Sequence, residues 1–504
     1  MAVQTKAAPQ AKRSGIGRGF TIITGIVCFG LLGYLLFQII HQFFVPPPSH
    51  RLILIQDVPL PTGLPTPAEE KLLDAGTDPK ALAPGVAQNF DHFDFQAFDP
   101  TLHLLFIAHS GPNPDLLLQA HANFNPQRDG PFDGHIIVYD TNTDPRTDKN
   151  ASKIVARIKV PQVSGMLYIP ELDKVFAADA QDGYIADINP HTFKVTSTIQ
   201  LQPNANPNPS PDAMVYDPVE QRLFVSDPGT PANPHVDLNV DRKNENVDVI
   251  DPINDKVLSY INLGNIDLLP GEQVLPGDKL PLIADTSPGH AGKFIPKFGH
   301  DVGHIQFNNG FIYVTSQVLP DGNITDPFFL PPAGTGELFQ IDPVKMQVVN
   351  EIDLPVTCST PHGFAIDTSQ HIGYIACTDV AASSSGRNLF QNLVRVDLSD
   401  PTTMKVIPTD PSSARLQGGP DIIRIDQNSA LHIDVLFVAC QAGISMFDIT
   451  PGKFHKLGDE VIGKGTHTLA VDPATQTLYL PITIGGRPVL RIVRYNPNGQ
   501  SNFR

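Results

Sequence analysis

One register recurs seven times between about residue 90 and residue 504, and it constrains the fold more than any other feature. Each copy has an apolar strand ending in Asp or Asn, a short turn, a second apolar strand, and a third strand ending in an Asp-Pro-like turn. The second strands read LLFIA, VFAAD, RLFVSD, FIYVTS, GYIACTD, VLFVAC and TLYLPI. The third read IIVYD, YIADINP, VDVIDP, LFQIDP, LVRVD, ISMFD and RIVRYNP. Short β-branched and aromatic runs at this spacing, separated by polar turns, indicate an all-β repeat. Fourth strands such as VTSTIQL, VLSYINL and VVNEIDL follow most copies. Four strands repeated seven times predict a seven-bladed β-propeller over residues 90–504, with blades starting near Phe93, Gly165, Asp212, Gly303, His362, Asp421 and His467.

The seventh copy ends at RIVRYNP without a fourth strand of its own. The run RLILIQDVPLP, residues 51–61, has the pattern of a fourth strand and is expected to complete the last blade. Such closure removes an exposed edge, which is otherwise a template for aggregation. It sits within a Pro-rich linker, residues 46–89.

The units TLAVDPATQTLYLPI, AMVYDPVEQRLFVSD and VDVIDPINDKVLSYINL resemble the YVTN-type β-propeller repeats of bacterial surface proteins and lactonase-like propellers. The resemblance covers most of residues 90–500. It implies a fold, and only weakly an activity, because propellers host many chemistries. Trp is absent, which removes the signature of WD repeats and the docking motifs of quinoprotein dehydrogenases.

The N-terminal residues predict a membrane anchor. Residues 19–45 carry no charge and are long enough to span a bilayer as a helix. Lys6, Lys12, Arg13 and Arg18 precede them in a basic tail, residues 1–18, and no comparable cluster follows. The basic side is expected in the cytoplasm and the propeller outside, as a single-pass protein at the cell surface. A cleaved signal peptide is the competing reading; the length of the segment and the lack of an A-x-A site favour the anchor.

A net charge of −17 argues against nucleic-acid binding and fits a soluble monomeric exterior. Four Cys are too few for a disulfide scaffold: Cys28 lies in the apolar segment, while Cys358, Cys377 and Cys440 allow one disulfide or none. Cys377 and Cys440 end second strands of adjacent blades and could approach, although burial as small strand residues is the default reading.

In a propeller, connections from second to third strands and from blade to blade share one face. Nearly every long insertion falls in this class: 109–134, 227–246, 264–300, 316–336 and 379–392. Long loops gathered on one side mark a binding face. The first residues of the innermost strands ring the channel mouth on that face, and the candidate set is Asp94, Asp212, His304, His362, Asp421 and His467. His92, His300 and Asp301 lie close by. His304, His362 and His467 with a carboxylate such as Asp212 or Asp421 could ligate a divalent metal or act as acid and base.

Two functions follow. One is an anchored surface module that presents loops to a protein, glycan or small-molecule ligand. The other is a metal-dependent hydrolase or oxidoreductase, lactonase-like or copper-type, working at the mouth. No HExxH, paired CxxC, phosphate loop or G-x-S-x-G elbow adds a further chemistry.

Overall fold

The computed structural model describes residues 51–60, 91–112, 134–142, 153–201, 209–228, 246–263, 300–318, 336–355, 357–358, 360–378, 391–428, 433–441, 443–463, 465–484 and 487–497, with three short strands between 273 and 296. The span expected at residues 19–45 lies outside this set. Among the described residues no helix is long and apolar enough to cross a membrane.

Seven four-stranded antiparallel sheets form the blades of a propeller. The innermost strands are Asp91–Asp99, Val163–Ile169, Met214–Asp217, His300–Asn308, Thr360–Asp367, Pro420–Asn428 and Ala470–Asp472. Each touches the next in cyclic order, and Ala470–Asp472 returns to Asp91–Asp99, so the ring is closed. The fourth strand of the last blade is Leu52–Pro59, antiparallel to Arg487–Tyr495 with Leu52 opposite Tyr495 and Pro59 opposite Val489. A bidentate pair from Arg491 to Asp57 (2.7 and 2.8 Å) fixes this register.

The Asp-Pro turns that mark the repeat have a common mechanism. Oδ1 of Asp99, Asp217, Asp251 and Asp342 accepts the N–H groups two and three residues ahead. Pro at the next position presets φ. The last turn residue then enters the next strand in the left-handed region: His103, Gln221, Asp255, Met346, His371 and Gln476 have φ between 51 and 56°. That conformation costs about 1–2 kcal/mol for a non-Gly residue. Two side-chain hydrogen bonds of about 1 kcal/mol each offset it.

Apolar second and third strands face neighbours on both sides, which is why they read as continuous hydrophobic runs. Phe176, Ile185 and Leu223 join the second and third blades. Tyr313, Phe364 and Ile375 join the fourth and fifth. Leu60, Leu105, Tyr139 and Tyr479 join the last blade to the first. A single blade therefore buries its faces only between two others.

Long connections leave from one end of the strands, between Pro112 and His135, Asp227 and Asn246, Val318 and Gly336, and Thr378 and Gln391. That between Asp140 and Ile154 is an exception at the other end. The connection from Asn262 to His300 holds a small three-stranded sheet, Gln273–Val274, Pro281–Ala284 and Phe294–Pro296, which the repeat pattern did not anticipate.

The cysteines resolve differently from a Cys377–Cys440 approach. Cys358 and Cys377 form a disulfide, while Cys440 is a buried free thiol whose pKa burial raises to about 12. Cys358 comes from the segment entering the fifth blade, which lies nearer Cys377 than the neighbouring blade's strand does.

Candidate metal and acid–base centre

The innermost strands share a defect at the mouth end. Their register with the second strand slips between Phe93 and Gln96, Val163 and Met166, Val302 and Ile305, Pro361 and Phe364, and Pro420 and Ile423. Such a bulge places an extra residue in the strand and re-aims its side chains. Asp94, His304, His362 and Asp421 all lie within these bulges, and His467 occupies the equivalent position before Ala470–Asp472. Tight backbone packing supports the arrangement: a Cβ on Gly363 would collide with the carbonyl oxygen of Asp421.

Asp421 is the hub. Its Oδ2 lies 2.7 Å from His467 Nε2. Its Oδ1 lies 3.3 Å from His362 Nδ1 and 3.5 Å from His304 Nε2. His304, His362 and Asp421 each offer a ligand atom within 4.8 Å of the others. Phe364 N–H donates to His304 Nδ1 at 3.3 Å, and Phe95 packs on the same ring with centroids 4.9 Å apart. His92 stacks on His467, centroids 4.8 Å apart. Asp421 and His304 are buried, whereas half of the His362 side chain is exposed at the mouth.

The charges are divided unequally. Burial opposes ionisation of both Asp421 and His467, yet their mutual attraction, aided by His362 at Asp421 and by Asp94 at His467, holds Asp421 well below its ordinary range and raises His467 to about 9. Burial dominates at His304 and His92, lowering each to about 3 and keeping both neutral. Asp94 is half-buried at the level of the mouth. Burial raises it to about 6; His467 pulls it down and Asp421 pushes it up. The centre thus combines an ion pair, neutral imidazoles with lone pairs to offer, and a carboxyl group poised near neutrality.

The ring expected from sequence is reordered in space. His304, His362, Asp421 and His467 converge, with Asp94 electrostatically coupled to them. The backbone of Asp212 is held by its own N–H, which donates to Ser226 O, and by its carbonyl oxygen, which packs against Gly165. The three-group cluster is His304, His362 and Asp421, while His467 holds the other oxygen of that carboxylate. The side chains of His300 and Asp301 lie outside the described set. Arg424, three residues beyond Asp421, is a channel residue that the ring of strand starts does not include. Its equivalents in other blades are Ala97, Tyr168, Val215, Gln306, Ala365 and Ala470, so it is the one cation at that level of the channel.

No protein-family model matches the chain, and no curated protein matches it. Among solved structures, hydrazine synthase of Kuenenia stuttgartiensis is similar, with a TM-score of 0.51 and 9% identity over 81% of this chain and 98% of that one. At that identity the likeness shows the propeller fold alone.

Proposed function

We propose that this propeller is a metal-dependent enzyme of hydrolytic type, with a divalent transition-metal ion held at the channel mouth by His304, His362 and Asp421. The convergence of two imidazoles and a carboxylate within 4.8 Å, drawn from three blades, carries this reading. Imidazole-rich donor sets suit Zn, Cu or Ni rather than Mg or Ca. The ion would supply an activated water at neutral pH. His467 orients Asp421 through Oδ2, and Asp94 is a base able to accept a proton from that water. The contact between Phe364 N–H and His304 Nδ1 puts the ring proton on Nε2 when the site is empty. A metal held at Nε2 would need that proton on Nδ1, where it would face the Phe364 N–H and leave buried donors unsatisfied, at about 1–3 kcal/mol each. The resemblance to lactonase-like YVTN propellers supports hydrolysis as the reaction class.

The disulfide between Cys358 and Cys377 supports a location outside the cytoplasm, where such bonds persist. With it we propose an anchor at residues 19–45, the basic tail inside and the propeller outside.

A second reading is a noncatalytic surface module, favoured by the concentration of long connections at the mouth end. Elemental analysis separates the two. Full-length protein, purified in detergent without chelator or affinity nickel, is expected to hold near-stoichiometric Zn, Cu or Ni, which falls in His304→Ala and His362→Ala. Protein that remains metal-free after incubation with these ions and desalting would leave the surface module as the account.

A further inference from the structure

A second cavity lies farther along the innermost strands than the mouth. Its volume is about 290 Å³, and it is lined by innermost-strand residues of six blades, among them Phe95, Met166, Leu167, Met214 and Ile305. These positions lie farther along the strands than the bulges, so the chamber is deeper than the histidine centre. His304 and Phe95 belong to both levels and form its roof.

One cation enters this space, whose wall mixes apolar side chains with Gln96, Tyr168 and Gln306. The guanidinium of Arg424 donates to Ile423 O at 2.9 Å and, weakly, to Gln96 O at 3.5 Å. Five N–H donors are available on the group, and among the described residues these two carbonyls are its only acceptors. No Asp or Glu lines the cavity. The carboxylate that acts on Arg424, Asp421, is already engaged by three imidazoles. Burial lowers the arginine to about 10, which leaves it charged at neutral pH. A partly buried cation whose nearest carboxylate is shared with three imidazoles is costly, and the rest of the wall supplies no other acid.

We infer that this chamber binds a small organic carboxylate, gripped by the Arg424 guanidinium, with its apolar body against Phe95, Met166, Leu167 and Met214. A planar fork of N–H donors matches a carboxylate with two parallel hydrogen bonds. At about 30 Å³ per water, the cavity holds roughly ten water volumes. That suits an acid between butyrate and benzoate in size. The site is separate from the metal reading, because it uses no proposed metal ligand to hold the carboxylate.

The test is calorimetric titration of full-length protein in detergent with EDTA present, which keeps the mouth metal-free. Benzoate and butyrate are expected to bind saturably at one site, and benzamide and butyramide to bind at least tenfold more weakly. Arg424→Gln should lose at least tenfold in benzoate affinity, with Arg424→Lys intermediate. Should Arg424→Gln fail to fold, Val215→Phe, which fills the cavity and leaves Arg424 in place, should lose benzoate binding as well. No saturable binding to the wild type overturns the proposal, as does equal binding of benzamide. Sulfate binding as tightly as benzoate would make this an inorganic-anion site and overturn the carboxylate assignment. Benzoate binding that survives both variants places the ligand elsewhere and also overturns it.

Discussion

The Nε2 of His467 and the Oδ2 of Asp421 meet at 2.7 Å across the boundary between the last two blades, and this contact organises the charge of the whole channel mouth. It lets an imidazolium persist at a depth where burial neutralises His92 and His304. In Asp421→Asn the burial remains and the attraction is gone, so the His467 pKa should fall from about 9 to below its ordinary 6.5. Titration of imidazole proton resonances in metal-free protein measures it directly. His467 still titrating near 9 would mean that another group holds the charge.

The same pair sets a pH dependence of stability. The folded-state pKa of His467 is raised from 6.5 to about 9, so its contribution is complete below 6.5 and is lost as pH rises through about 9. Asp421 is shifted down, so its contribution is complete above its unfolded value of 3.8 and is lost only as pH falls well below it. The pair should therefore stabilise the fold most between about pH 4 and 6.5. Removing one partner of a buried pair costs about 3–5 kcal/mol. Denaturant unfolding of metal-free Asp421→Asn at pH 6 and pH 9.5 should show a clearly smaller deficit at the higher pH. An equal deficit at both would rule out the ion pair as the source.

Asp94 behaves in the opposite sense. Its folded pKa is raised from 3.8 to about 6, chiefly by burial, so ionising it opposes folding as pH climbs from 3.8 through 6. Asp94→Asn should remove that decline in unfolding free energy in metal-free protein. A hydrolytic rate, once a substrate is found, should show an acid limb near pH 6 that this variant abolishes. Persistence of the limb in Asp94→Asn would assign the base elsewhere.

The seven-bladed propeller was legible because each blade repeats one physical solution: an Asp-Pro turn closed by Asp Oδ1, and a second strand apolar on both faces. Asp99, Asp217 and Asp472 show it in three different blades. The level of the site was legible for the same reason, since equivalent strand starts must converge on an axis. The grouping was not. The bulges beside His304, His362 and Asp421 turn side chains by an amount that no residue pattern encodes, which is why Asp421 became the hub. Arg424 escaped because only the first residue of each strand was compared, although the position three residues on also faces the channel.

Gly363 tests the backbone origin of the site. A side chain there meets the Asp421 carbonyl oxygen, a backbone atom that can give way only if the neighbouring blade moves. Overpacking of this kind costs about 1–3 kcal/mol. Gly363→Ala should lower the melting temperature and weaken metal uptake together. A variant with wild-type melting and wild-type metal content would show that the two strands tolerate separation.

The closing strand ties the start of the propeller to its last blade. Leu52 is fully buried opposite Tyr495, so Leu52→Ala should destabilise the propeller by about 2–5 kcal/mol. Disrupting this strand also exposes Arg487–Tyr495 as an unpaired edge, and concentration-dependent aggregation should accompany the loss. Light scattering during thermal unfolding reads both. Unchanged melting would mean that the last blade stands with three strands.

The disulfide has a functional position as well as a structural one. Cys377 lies opposite Pro361 in the fifth blade, and Pro361 immediately precedes His362. Its partner Cys358 lies just ahead of the same innermost strand, so the bond clamps the chain entering the bulge that aims His362. Cross-links closing loops of this size, with a sequence separation of 19, contribute on the order of 3 kcal/mol. The double variant Cys358→Ser, Cys377→Ser should therefore lose stability of that order. Because the entry to the bulge is then less constrained, it should also bind metal more weakly than wild type when both are fully folded. Loss of stability with unchanged metal affinity would confine the disulfide to the scaffold and leave the bulge alone to position His362.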